Sequence, residues 1–226
     1  MSATTGTGRR VHLRNGAHGY GLVTKVLHWL TVAALVVQFG VGWAMDVDDG
    51  LDREEDLLDA EADRREEEAE VLGEAEEERA EAENERLEEQ FEAREDDQAA
   101  AVFDDVVSGD AFGDGFALPH LHVLLGLLII VLAVVRVVWR RTTPLPPWAE
   151  HLSAGERRFE AFLEKALLAL LVVVPATGLL LVAGQDDWVP VHVTAHFALL
   201  AAIAGHVGLV LRHTVVRRNR HLARML

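Results

Sequence analysis

Apolar residues in this chain come in long runs rather than in the one-sided stripes of a water-soluble helix. Four of these runs are about 20 residues long: Val23 to Met45, Leu118 to Trp139, Phe162 to Ala183 and His192 to Leu211. At 1.5 Å per residue that length crosses a hydrocarbon core of roughly 30 Å. The pattern predicts an all-α integral membrane four-helix bundle with transmembrane helices at 23–45, 118–139, 162–183 and 192–211. The first run is too long for a cleavable signal peptide, lacks an A-x-A-like site and is followed by three more. A soluble core helix would explain any single run but not four in a chain of 226 residues.

The polar stretches between the runs set the expected orientation. Arg9, Arg10, Arg14 and Lys25 open the chain, Arg140, Arg141, Arg157, Arg158 and Lys165 flank the second connection, and Arg212, Arg217, Arg218, Arg220 and Arg224 close it. Segments 1–22, 140–161 and 212–226 are therefore expected to be cytoplasmic. The loop 184–191 has no basic residue and is expected outside, together with segment 46–117. The third run carries Pro175 and Gly178, a predicted kink, and Glu164 near its cytoplasmic entrance, read as a paired or snorkelling carboxylate.

Charge divides the chain more sharply than hydropathy does. The whole has a net charge of −16, yet segment 46–117 holds 31 acidic residues against six arginines, leaving the rest basic. Glu, Ala, Arg and Leu dominate it, and pairs such as Glu61 with Arg65 support helix at i,i+4. One or two exposed, marginally stable helices are expected, because Leu58, Leu72, Leu87 and Phe91 hold no clean heptad for a coiled coil. No EF-hand spacing is present, so the carboxylates read as a hydrated surface, one that tolerates concentrated salt. The Gly and Asp content of 108–115 suggests a flexible return to the membrane. No nucleic-acid partner is expected, because the basic residues either flank the apolar runs or are outnumbered by carboxylates.

Cysteine is absent, which excludes disulfides, iron–sulfur clusters and covalent C-x-x-C-H haem attachment. Eleven histidines remain, and six of them fall within the apolar runs, among them His28, His122, His192 and His206. Ionisable groups at membrane depth are functional candidates. His192 and His206 are 14 residues apart, which returns to nearly the same helix face roughly 21 Å away. Ala195 and Ala202 lie between them, small enough to admit flat macrocycles. Gly42 follows His28, and Arg136 follows His122, at the same interval. With antiparallel helices, His28 meets His206 at the inner level and His122 meets His192 at the outer. Gly126 leaves room one turn from His122. Two bis-histidine sites for non-covalent haem are the expected chemistry. His196 is an alternative to His192, and His120 to His122. Arg136 is either a snorkelling cation or a partner for a haem propionate, and Lys25 is a weaker candidate of that kind. His213 lies near the headgroups and is expected to have a role other than ligation.

Several stretches together resemble the prokaryotic cytochrome b-561 family, which is related to the cytochrome b subunits of nickel–iron hydrogenases. They are Y-G-L-V-T-K-V-L-H-W from Tyr20, H-V-L-L-G from His122, R-V-V-W-R from Arg136, P-A-T-G from Pro175, and the closing stretch with His192, G-H-V-G from Gly205, Arg212, His213 and L-A-R-M-L. The resemblance implies two haems b with His28, His122, His192 and His206 at the ligand positions, and electron exchange with quinone or another small redox partner. Oxidation of superoxide with delivery to quinone is one activity proposed within the family. The acidic insertion departs from the compact family pattern, as does Glu164 where the family often has a histidine. The expected protein is a multi-pass cytochrome of the cell membrane acting on quinone. The competing expectations are a haem-bearing anchor that passes electrons within a larger complex, with the acidic arm docking a redox partner protein, and a haem-free transporter.

Overall fold

Each long apolar run becomes one helix in the computed structural model of the chain, which describes residues 12–16, 19–48, 50–113, 116–147, 152–183 and 188–216. The α-helices are α1 Leu22–Asp48, α2 Gly50–Leu72, α3 Glu74–Ser108, α4 Leu118–Thr142, α5 Ala154–Leu181 and α6 Val189–Leu211. A 3-10 turn at Asp110–Phe112 precedes α4, and a π turn at Arg212–Val216 follows α6. Among the described residues there is no strand. Residues 217–226 of the basic tail expected at 212–226, and parts of the other connections (1–11, 17–18, 148–151, 184–187), lie outside the described residues.

Four helices, α1, α4, α5 and α6, are long and apolar enough to cross a membrane. Their large side chains point outward: Trp43, Val36, Phe162 and Phe197 are each 65–73% exposed. Apolar surface on this scale is unfavourable in water by roughly 25 cal/mol per Å², whereas lipid tails accept it. This is a multi-pass membrane protein.

The chain divides into two compact units. The first comprises the described residues of Met1–Val36, Gly126–Thr177 and Pro190–Leu226. Its core is Ala34 of α1, Ile129, Leu132 and Ala133 of α4, and Leu171 of α5, flanked by Leu27, Leu35, Leu168 and Val172. Small residues let helix backbones approach where no hydrophobic effect drives them together. Gly205 of α6 does the same, since a Cβ there would stand 3.6 Å from Leu163.

Polar side chains stitch this unit at the cytoplasm-facing ends expected from the sequence. Trp139 Nε1–H donates to Thr24 Oγ1 (3.0 Å), whose own hydroxyl donates to Asn15 Oδ1 (2.8 Å). Gly21 is required where the N-terminal segment folds back, because a Cβ would lie 2.4 Å from the Leu13 carbonyl oxygen. Glu164 is ion-paired with Arg140, as its reading as a paired carboxylate anticipated. One and two turns earlier on α5, Glu160 faces the fully buried His213 and Glu156 faces Arg212, each at 3.6 Å. Helix α5 begins eight residues before the apolar run at Phe162. The cause is a capping box, in which Glu156 N–H donates to Ser153 Oγ and Ser153 N–H to Glu156 Oε2. The helix runs on through Pro175.

The second unit comprises Val37–Leu125 and Gly178–Val189. Here α2 and α3 form an antiparallel hairpin reversed at Gly73, whose φ of +106° favours glycine. Arg94 reaches Glu54 at 2.9 Å, and Asn84 bonds Arg65 and Glu66, so the register is carried by pairs from opposite ends of the two helices. Phe91, Ala69 and Ala80 are buried. Leu58 and Leu87 line the cleft between the helices, while Leu72 at the tip is exposed. The segment thus pairs its two helices through a narrow apolar seam, without needing a heptad. The return at 108–113 is a capped turn: Gly109 takes a left-handed φ of +90° and donates to the Asp105 carbonyl, and Gly113 N–H donates to Asp110 O. Asp114 and Gly115 lie outside the described residues.

Candidate functional site

Helix α6 is continuous from Val189 to Leu211, so His192 and His206 keep the regular rise of a helix and stand roughly 21 Å apart along it. One iron cannot reach both. Each therefore needs a partner from another helix if it is to be half of an axial pair.

The structure brings His28 of α1 and His206 of α6 together within the first unit. Their ring centres are 6.4 Å apart and their planes meet at 61°. An imidazole nitrogen coordinates a metal at about 2 Å, with the ring centre roughly 1 Å beyond it, so two imidazoles facing each other across an iron have centres about 6 Å apart. The observed spacing accommodates an iron between the rings. Arg136 is an electrostatic neighbour of both histidines, and Glu164 is in turn a neighbour of Arg136. A guanidinium beside a bis-histidine gap can receive a carboxylate in bidentate fashion. The residues present therefore fit a haem, which His28 and His206 would hold with Arg136 nearby. The weaker sequence candidate, Lys25, sits one turn before His28 in α1.

The outer candidates belong to different units and are described in each. In the second unit His122 of α4 lies against α1: Gln38 Nε2 is 3.0 Å from His122 Nε2, and a Cβ on Gly42 would be 3.5 Å from His122 Cε1. Gly42 is thus the floor on which the His122 ring rests. In the first unit His192 Nδ1 is 2.9 Å from Thr177 Oγ1 of α5. Its neighbour His196 packs edge to face against it, with ring centres 4.4 Å apart, and has Nδ1 3.1 Å from the His192 carbonyl oxygen. Gly126, read as room beside the outer ring, faces Pro175, whose Cβ would be 3.5 Å from an added methyl.

Comparison with known proteins adds the missing context. The family model described as prokaryotic cytochrome b561 matches residues 19–226, which takes in all four apolar helices. The chain belongs to the prokaryotic cytochrome b561 family. Haem and electron transport are the chemistry of that family, and the histidine geometry is to be read in those terms. Among curated proteins, cytochrome b562 of Cereibacter sphaeroides is 32% identical over 108 residues, covering 47% of this chain and 66% of that protein. The match thus spans just under two thirds of the relative's length. No solved structure matches the chain.

Within a b561 cytochrome the remaining polar groups sort by the partners they hold. His120 is committed to the protein: Nδ1 accepts the Ala117 N–H at 3.2 Å, Nε2 lies 3.4 Å from Asp105, and the ring stacks on Phe116. It joins the end of α3 to the start of α4, which leaves His122 as the α4 candidate. Two residues at the outer histidines escape sequence reasoning, Gln38 and Thr177. Gln38 carried a usable signal, a lone amide in the apolar run L-V-V-Q-F-G, since polar groups at membrane depth are placed for a reason. Thr177 carried less, because a threonine in a membrane helix can satisfy its hydroxyl on its own backbone.

Proposed function

We propose that the chain is a di-haem b membrane cytochrome that transfers electrons to or from quinone. His28 and His206 hold the inner haem and His122 and His192 the outer. The single observation that carries this reading is the 6.4 Å spacing of His28 and His206, with Arg136 beside them. The continuity of α6 supports a second site, and the likeness to a cytochrome b562 supports a b-type haem. When bound, haem supplies one-electron iron chemistry. His28 and His206 supply axial nitrogens, and Arg136 balances the charge of a propionate in a low-dielectric setting. Gly42 leaves the His122 ring room against α1, and the apolar helices exclude water.

The orientation that accompanies this reading puts both termini and the loop 142–156 in the cytoplasm, and the acidic hairpin outside, from the placement of Arg and Lys. Protease added to vesicles whose cytoplasmic face is inward is expected to cut the hairpin and spare the C-terminal tail. The reverse pattern rejects the orientation.

A reduced-minus-oxidised spectrum with a haem-to-protein ratio tests the cofactor claim. Two b-type haems per chain are expected, and a ratio of one or none overturns it. Quinol added to the isolated chain in detergent is expected to reduce haem. Failure there, with reproducible co-purification of a catalytic subunit, would instead identify an electron-transfer anchor of a larger complex.

A further inference from the structure

The hydroxyl of Thr177 touches three groups: the carbonyl oxygens of Val173 (3.1 Å) and Val174 (2.8 Å), and Nδ1 of His192 (2.9 Å). A carbonyl oxygen only accepts. Two oxygens at 2.8 Å repel unless a proton lies between them, so the single hydroxyl proton of Thr177 goes to the Val174 carbonyl. Thr177 Oγ1 is then left to accept, and His192 must be the donor, with its proton on Nδ1. In a neutral imidazole this puts the lone pair on Nε2. Thr177 is buried, 5% exposed, so water does not compete for the contact. The hydroxyl is held by carbonyls of the preceding turn of its own helix.

We propose that Thr177 is a positioning residue for the outer haem site: its hydroxyl accepts the Nδ1–H of His192, reserves Nε2 for iron and makes the imidazole a stronger electron donor. The proposal rests on the reading of His192 as an outer ligand. An acceptor on the far nitrogen raises ligand basicity and favours the oxidised metal, so Thr177 holds the outer haem at a lower potential than an unsupported histidine would give.

Spectroelectrochemical titration of the full-length cytochrome in mild detergent tests this with Thr177→Val, Thr177→Ala and Thr177→Ser. Valine and alanine are expected to raise the midpoint potential of the outer haem or to deplete that haem, with the inner haem unmoved, and serine to keep the wild-type value. Valine or alanine with a normal outer haem at an unchanged potential overturns the proposal. So does serine behaving like valine, because then shape and not the hydroxyl matters. His192→Ala separates this from the ligand assignment. Loss of the outer low-spin signal in His192→Ala with no potential shift in Thr177→Val refutes the role of the hydroxyl alone, whereas a normal outer haem in His192→Ala refutes the ligand reading beneath it.

Discussion

Helices α4 and α3 are both long and regular, but they turn opposite chemistry outward. Exposed Val131, Val134 and Val138 cover α4, whereas α3 is covered by Glu and Asp with Arg between them. The first needs lipid around it and makes its internal contacts through alanine and glycine. The second needs water and ions, and of its described residues it buries few, among them Ala80, Phe91 and Val106. A bundle of the first kind can hold flat cofactors between helices, because its backbone hydrogen bonds are satisfied within each span. A hairpin of the second kind has little core to share. On the proposed reading the apolar helices retain haem, and the acidic ones carry the sensitivity to salt.

The largest effect should come from the histidines. His28→Ala with His206→Ala is expected to leave about one haem per chain, since both changes fall on one site, whereas His28→Ala with His122→Ala should disturb both. Haem-to-protein ratios and low-spin spectra on membrane-inserted variants decide it, and four single variants that each keep two low-spin haems would break the model. Deleting 51–105 with a short polar linker across the gap should change neither haem, because every proposed ligand lies outside that stretch. Haem loss from the inserted deletion would make the hairpin part of the redox core.

Smaller effects sharpen the contrast. Phe91→Ala should cost the hairpin about 3–5 kcal/mol, enough to abolish amide protection in α2 and α3 by hydrogen exchange, with haem content unaltered. Ser153→Ala removes the cap of α5 and should loosen its first turns by about 1 kcal/mol, seen as faster exchange at 154–157. Arg94→Ala should weaken the hairpin by about 0.2–1 kcal/mol, because the Arg94–Glu54 pair is half exposed. That last difference should vanish at about 1 M salt, where the screening length falls to roughly 3 Å. A salt-independent loss would point instead to the packing of the Arg94 guanidinium, 5.5 Å from the Phe91 ring centre.

The four spans were legible because helix length and lipid solubility are properties of a local run of residues. The early start of α5 was also within reach, in the S-x-x-E sequence at Ser153. The pairing within 52–108 was harder to read: Leu58, Leu87 and Phe91 follow no repeat, and their seam exists only once Gly73 has reversed the chain. The His28 and His206 pairing was anticipated from helix direction and depth, whereas the ties of His120 to Ala117 and Asp105 were not. Those depend on a turn at 108–113 whose Gly and Asp content reads equally well as a loose connection.

By itself the sequence determined the membrane class, the number of spans, the split between a basic apolar body and an acidic arm, and the spacing of the histidines along each apolar run. Those follow from composition, from the fixed rise of a helix and from the cost of leaving a backbone group unpaired in lipid. Only the tertiary structure decided which side chains meet: His28 with His206, both within the electrostatic reach of Arg136, Gln38 with His122, and Thr177 with His192. A helix tells its own residues apart by angle and height, but which face meets which neighbour is settled by packing. In lipid that packing is governed by the placement of small residues such as Ala133, Gly42 and Gly205, each of which acts only through a partner distant in the chain.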